Sequence, residues 1–219
     1  MDTQSDEAVE HIKDWLGCGS INIFGLPFAG KDTHGRELAE LLGAQLIGGG
    51  EIIRSKITPQ HMKDHIAEGK LTPTDEYLAL MLPYFEQERL KDLPLVLSSV
   101  GRWFGEQTHV MNAAQASGHP LKAVLFLDIT VTELYKRWEA SLKIQDRGKR
   151  HDDAEHILET RIEEFQTKTL PVIDYYRNEG LLIPISSEGT QAETLTTILN
   201  ELGTYSKKAT NVEPVSQNL

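Results

Sequence analysis

Five short runs rich in Val, Ile and Leu constrain this chain more than anything else in it: INIFGL from Ile21, AQLIG from Ala44, LPLVLSS from Leu93, KAVLFLDI from Lys122 and LLIPISS from Leu181. Each has strand length and is almost continuously apolar rather than alternating, the pattern of a strand covered on both faces. The stretches between them carry helical periodicity, so the strands are expected to run parallel through helical crossovers. The expected fold class is therefore α/β, a doubly wound five-stranded parallel sheet. A chain of 219 residues is long enough for one such domain with a small inserted lobe.

The segments between the runs carry their own punctuation. Leu38, Leu41 and Leu42 form an apolar stripe ended by Gly43, and Thr190 with Glu193 fits a capping box before a helix that Gly203 is expected to close. Asp152 with Glu155 is a second expected cap, opening a helix in which Ile157, Leu158, Ile162 and Phe165 recur at helical spacing. Only helical patterns occupy residues 48–92, which are expected to form an inserted helical lobe whose last helix breaks at Pro83. A short helix is expected around Ala8 to Leu16 in an N-terminal extension of residues 1–20, and the polar stretch 204–219 is expected to be a disordered tail.

Between the strand INIF and the next helical pattern, Gly25, Gly30 and Lys31 satisfy G-x-x-x-x-G-K. In that position the loop directs backbone N–H groups at phosphate from a helix N-terminus, and the lysine reaches the β and γ phosphates. The chain as a whole is acidic, with a formal net charge of −11, which disfavours nonspecific attraction to nucleic acid or to an anionic membrane. An anionic ligand must then be held by local groups. Residues 136–150 reverse the sign, with six Lys or Arg against two Asp or Glu; a solvated basic face is the alternative to a binding role. The single cysteine, Cys18, excludes an intramolecular disulfide, and with no signal-like or membrane-length apolar segment the expected location is the cytoplasm.

Pro27 and Thr33 complete the segment GLPFAGKDT, which resembles the G-x-P-x-x-G-K-G-T loop of nucleoside monophosphate kinases, adenylate kinase above all, with Asp32 in place of a glycine. The resemblance runs from Ile21 to Leu199. GGEIIR resembles the family's T-G-D-x-x-R element, GKLTPTDEYL from Gly69 its G-K-L-V-x-x-E segment, and SSVGR, ending at Arg102, its D-G-F-P-R. KRW at Lys136 to Trp138 and RHDD at Arg150 to Asp153 resemble the two ends of its lid, here the short form spanning residues 137–153 within a kinase domain of residues 21–203.

What the resemblance implies is phosphoryl transfer from ATP to a nucleoside monophosphate, most simply AMP, with Mg²⁺ accompanying ATP. Lys31, Arg102, Arg137, Arg150 and Arg161 take the catalytic places. ATP falls to Phe28, Ala29, Gly30, Lys31, Asp32, Thr33, Arg137, Thr190 and Gln191; the acceptor falls to Gly49, Glu51, Arg54, Lys70, Leu71, Thr72, Ser99, Arg102, Gln107, Arg150 and Arg161. Asp152 and Asp153 are expected to orient arginines. A zinc-bearing lid needs clustered Cys or His ligands, so no structural zinc is expected, and the expected state is a monomer that binds neither nucleic acid nor membrane. His61 and His65 are read as an exposed helix face, and Trp15, Trp103 and Trp138 as packing groups.

Besides Asp32, four departures from the family pattern bear on function. Gly49 stands where a threonine is usual, Glu106 where a glutamine is usual with Gln107 one place later, Ser141 where a second lid arginine is usual, and Ser98 where an aspartate holds waters around Mg²⁺. Asp32 is then either a relocated carboxylate that holds the Mg²⁺ water shell or a favourable acid in the helix's first turn, facing solvent. The departures leave open a nucleotide-binding regulator of the same fold with little turnover, and a kinase for another small phosphate acceptor.

Overall fold

A computed structural model describes residues 3–53, 58–144 and 154–211. The five apolar runs are the five strands: β1 (Ser20–Gly25), β2 (Gln45–Gly48), β3 (Leu95–Ser98), β4 (Leu121–Asp128) and β5 (Leu182–Ser186). All neighbours pair in parallel, in the order β2-β3-β1-β4-β5. Every residue of β1 and β3 is buried, which is why these runs show no alternation of polar and apolar residues.

Alternate side chains of β3 serve two different cores. Val96 packs with Ile23 and with helix α2 (Lys31–Leu42), whereas Leu95 and Leu97 join Val110 and Ala114 of α6 (Glu106–Ala116) on the other side. That second core continues into the inserted segment. Helices α3 (Gly49–Ile53), α4 (Gln60–Ala67) and α5 (Thr74–Met81) send Ile52, Met62, Tyr77, Leu78 and Met81 into it. Pro83 stops α5 as expected, leaving a single 3₁₀ turn at Leu82–Tyr84.

The rest of the chain supplies α7 (Val131–Ile144), α8 (Glu155–Glu164), α9 (Leu170–Asn178) and α10 (Gln191–Asn211). A π-helical turn, Phe165–Thr169, joins α8 to α9. The capping box at Thr190 is formed in both directions: Thr190 N–H donates to Glu193 at 2.8 Å and Glu193 N–H donates to Thr190 Oγ1 at 3.3 Å. The cap expected at Asp152 lies outside the described residues.

Gly203 does not end α10. The helix runs on to Asn211, so residues 204–211, expected within a tail, are its last turns, and residues 212–219 lie outside the described part. The cause is the helix α1 (Thr3–Leu16), which lies along α10: Trp15 meets Tyr205 edge-on at 5.9 Å, and Ile12 Cδ1 would be 4.0 Å from a Cβ on Gly203. Gly203 is a point of close helix approach rather than a stop. Among the described residues no helix is long and apolar enough to cross a membrane.

Candidate active site

The sheet order changes direction at β1, and the crevice at the carboxyl ends of the strands on either side of such a point is where α/β sheets receive ligands. The phosphate loop, residues 25–30, leaves β1 there and enters α2 at Lys31. Its shape depends on glycine at two positions. A Cβ on Gly25 would lie 2.6 Å from Leu127 O of β4, and Gly30, the residue before α2, has φ 90°, in the left-handed region. Phe28 takes the same region with φ 64°. The Lys31 ammonium donates to Gly25 O at 2.8 Å and Leu26 O at 2.7 Å, which holds it against the loop.

Because β3 lies parallel beside β1, with Ser98 opposite Ile23, the end of β3 comes up against the start of α2. Ser98 Oγ donates to Asp32 Oδ1 at 2.9 Å. The two positions at which this chain departs from the family pattern around Mg²⁺ are therefore in contact, and the Asp32 carboxylate is turned to the strand end. Asn22, the one polar residue inside INIF, ties the next segment down: its amide donates to Val100 O at 2.7 Å and accepts from Val100 N–H at 3.3 Å. It thereby fixes the turn between Ser98 and Arg102. A polar side chain in an otherwise apolar strand was the signal for it.

On one side of the loop a cavity of about 340 Å³ is bounded by Phe28, Thr33, His34, Arg137, Ser141 and Gln191. Arg137 of α7 organises it. Its Nε donates to Glu133 at 2.9 Å, Nη1 to Phe28 O at 3.3 Å, and Nη2 to Gly189 O at 3.2 Å and to Ser187 O. One guanidinium thus binds the phosphate loop to the turn between β5 and α10, and in doing so holds Glu133 below the usual carboxylate range. Ser187 Oγ donates to Ala29 O at 2.9 Å, a second tie between the same segments. Gln191 borders the cavity and reaches Glu37, which also accepts from His34; Thr190 is spent on its capping box.

A second, narrower cavity of about 90 Å³ is bounded by Gly50, Leu71, Tyr77, Arg102, Glu106 and Arg161, with Lys70 and Thr72 at its wall. Two arginines from distant segments converge here. Burial, and after it the neighbouring Arg161, lowers Arg102 to about 10; an entering dianion relieves that repulsion. Tyr77 fills the space beside Gly49: a Cβ on Gly49 would be 3.2 Å from the Tyr77 hydroxyl and 2.9 Å from Ser99 O. The hydroxyl accepts from Gly101 N–H at 3.1 Å, and burial pushes its ionisation up.

Glu106, at the usual glutamine position, lies at this cavity, whereas Gln107 is turned back to accept from Gly105 N–H at 2.6 Å. Gln107, expected among the acceptor residues, is held by that loop contact instead. The Glu106 carboxylate accepts from Trp103 N–H at 3.0 Å, and burial raises its pKa. Arg54 and Arg150, with Asp153, lie outside the described residues, as does the side chain of Glu51. Tyr77 lines this cavity, and the α8 residue Glu164 accepts the N–H of Leu71 at its wall, neither with any local sequence signal. Among the described residues there is no group of three or more His, Cys, Asp or Glu able to hold a metal ion.

A parallel sheet in this order, with a phosphate loop at its switch point, one cavity bordered by that loop and a second lined by Arg102 and Arg161, defines the chain as a P-loop phosphotransferase with the nucleoside monophosphate kinase fold. No family model matches the chain. Curated relatives do: it is 28% identical over 203 residues to the adenylate kinase of Streptomyces avermitilis, covering 79% of this chain and 92% of that one. It is 27% identical over 179 residues to the adenylate kinase of Phocaeicola vulgatus, with 78% and 91% covered, and 27% identical over 194 residues to that of Thermus thermophilus, with 86% and 100% covered. Along most of its length the chain is thus similar to curated adenylate kinases.

Proposed function

We propose that this phosphotransferase moves the γ-phosphoryl of ATP to AMP, giving two ADP. The observation that carries the reading is the pair of cavities, the wider bordered by the phosphate loop and organised by Arg137, the narrower lined by Arg102 and Arg161. Phosphoryl transfer requires donor and acceptor in line and positive charge spread around the transferring group. Lys31 and the N–H groups of the loop take the donor phosphates. Arg102 and Arg161 take the acceptor phosphate, and Arg54, Arg137 and Arg150 add the remaining charge of the family's site. Arg137 spends its N–H donors on the Glu133 carboxylate and on carbonyls, which leaves its planar face for the donor base.

Mg²⁺ binds with few protein ligands and keeps several waters, so a single carboxylate beside the phosphate loop suits it. Asp32, oriented by the Ser98 hydroxyl, is that carboxylate, and the bound ion supplies charge neutralisation of the β and γ phosphates.

The test is purified protein with Mg·ATP and, in turn, AMP, CMP, UMP and GMP, with nucleoside diphosphates resolved chromatographically. AMP is expected to give ADP fastest. Faster product from another of the four reassigns the acceptor, a result to which Gly49, Tyr77 and Glu106 would then be central. No diphosphate from any of them, with ATP binding intact by calorimetry, replaces the reading by that of a nucleotide-binding regulator.

A further inference from the structure

Around the acceptor cavity three segments distant in sequence are joined by one run of contacts. The turn after α4 carries Gly69, Lys70, Leu71 and Thr72, and its Leu71 N–H donates to Glu164 Oε2 of α8 at 2.9 Å. Lys168, one turn further on in the π-helical segment, places its ammonium 2.7 Å from the same carboxylate and 4.0 Å from the centroid of the Trp103 ring. Trp103 follows Arg102. The turn lies close against α8: a Cβ on Gly69 would be 2.8 Å from Ile157 O and 3.0 Å from Arg161 Cγ. Glu164 and Lys168 are 14% and 25% exposed, so this pair is shielded from solvent more than an ordinary pair on a helix surface.

We propose that Glu164 is a positioning residue for the acceptor: by taking the Leu71 N–H and the Lys168 ammonium on one carboxylate, it fixes the turn that walls the acceptor cavity and fastens it, through Lys168 and the Trp103 ring, to the segment that carries Arg102. The proposal rests on the reading of the narrower cavity as the nucleoside monophosphate site. Its physical content is preorganisation. An acceptor entering a cavity whose walls are already tied loses less binding energy to ordering them. Glu164 also lies close enough to Arg102 and Lys70 to favour their charged forms, so it holds the turn without displacing the charge that meets the phosphate.

The variants are Glu164→Ala, Glu164→Gln and Lys168→Met, each measured for the KM of AMP, the KM of ATP, kcat, and tryptophan emission on titration with AMP. Trp103→Phe separates the Trp103 signal from those of Trp15 and Trp138. Glu164→Ala is expected to raise the KM of AMP about tenfold and to leave that of ATP within about twofold, the loss of one charge-assisted contact at the acceptor alone. Glu164→Gln is expected to recover most of that loss, because an amide oxygen still accepts the Leu71 N–H. Lys168→Met is expected to raise the KM of AMP by a smaller factor and to alter the AMP-dependent emission that Trp103→Phe abolishes. Should Glu164→Ala fail to fold, the other two variants carry the test. An unchanged KM for AMP in Glu164→Ala and Lys168→Met, or equal rises for AMP and ATP, overturns the proposal. Wild-type protein that neither binds nor phosphorylates any nucleoside monophosphate while binding ATP overturns the acceptor reading, and this proposal with it.

Discussion

Asp32 and Ser98 illustrate how far one hydrogen bond changes the meaning of a residue. A carboxylate directly after the loop lysine would repel phosphate unless a cation stood between them, and the Ser98 hydroxyl fixes where that carboxylate lies. Asp32→Gly is expected to weaken Mg²⁺-dependent turnover well beyond its effect on nucleotide affinity, and adding Ser98→Asp is expected to restore part of the loss. A Mg²⁺ titration in which Asp32→Gly behaves like wild type would reduce Asp32 to a helix-start acid. Ser98→Asp alone has the opposite character: it sets two carboxylates where a hydroxyl and a carboxylate now meet at 2.9 Å, so melting with and without Mg²⁺ should differ more than in wild type. Glu106 supplies a pH dependence. Burial raises its pKa in the folded protein above the ordinary value of 4.5, so its contribution to stability is fully present below about that pH and is lost as pH rises through the raised value. Relative to Glu106→Gln, wild-type protein should therefore lose thermal stability as pH increases above about 4.5, a comparison that calorimetric melts across acidic to neutral pH will make.

At the level of elements, Gly69 is where local conformation and function meet. It ends α4 with φ 80°, a conformation that costs a non-glycine residue roughly 1–2 kcal/mol, and its missing side chain admits Ile157 O and Arg161. Gly69→Ala should lower stability by at least that amount and raise the KM of AMP more than that of ATP, measurable by denaturant melts and initial rates on the same preparation. The strands were legible because burial on both faces leaves an apolar signature, and the phosphate loop because its glycines are dictated by local backbone geometry. The contacts on the acceptor side were not. Leu71 and Glu164 are 93 residues apart, and no periodicity or spacing links them. The π-helical turn has no residue signature, and Gly203 misleads because a glycine that ends a helix and one that admits a neighbouring helix look alike in sequence. Gly49, Ser99 and Tyr77 meet only in space: the Ser99 carbonyl first, and the Tyr77 hydroxyl beside it, leave no room for a side chain on the glycine.

Across the whole molecule, α1 is part of the folded unit rather than an appendage. Ile12 is fully buried against α10, and Lys122 of β4 binds Trp15 O and lies 5.6 Å from the Trp15 ring centroid. Ile12→Ala should lower stability by about 2–5 kcal/mol while leaving both Michaelis constants unchanged at temperatures where the variant is folded. Far-ultraviolet and near-ultraviolet melts of the variant should still coincide, since loss of one core side chain weakens a cooperative unit without dividing it. The two cavities are built on different terms. Arg137 already spans the phosphate loop, α7 and the turn before α10, so the conformational entropy of assembling the wider cavity is largely lost at folding. On the proposed reading ATP meets a surface that needs little further ordering, and its arrival should be limited by encounter rather than by rearrangement. If the ATP reading holds, a single guanidinium, through the carboxylate and carbonyls it holds, moves a cost of every catalytic cycle into the one-time event of folding.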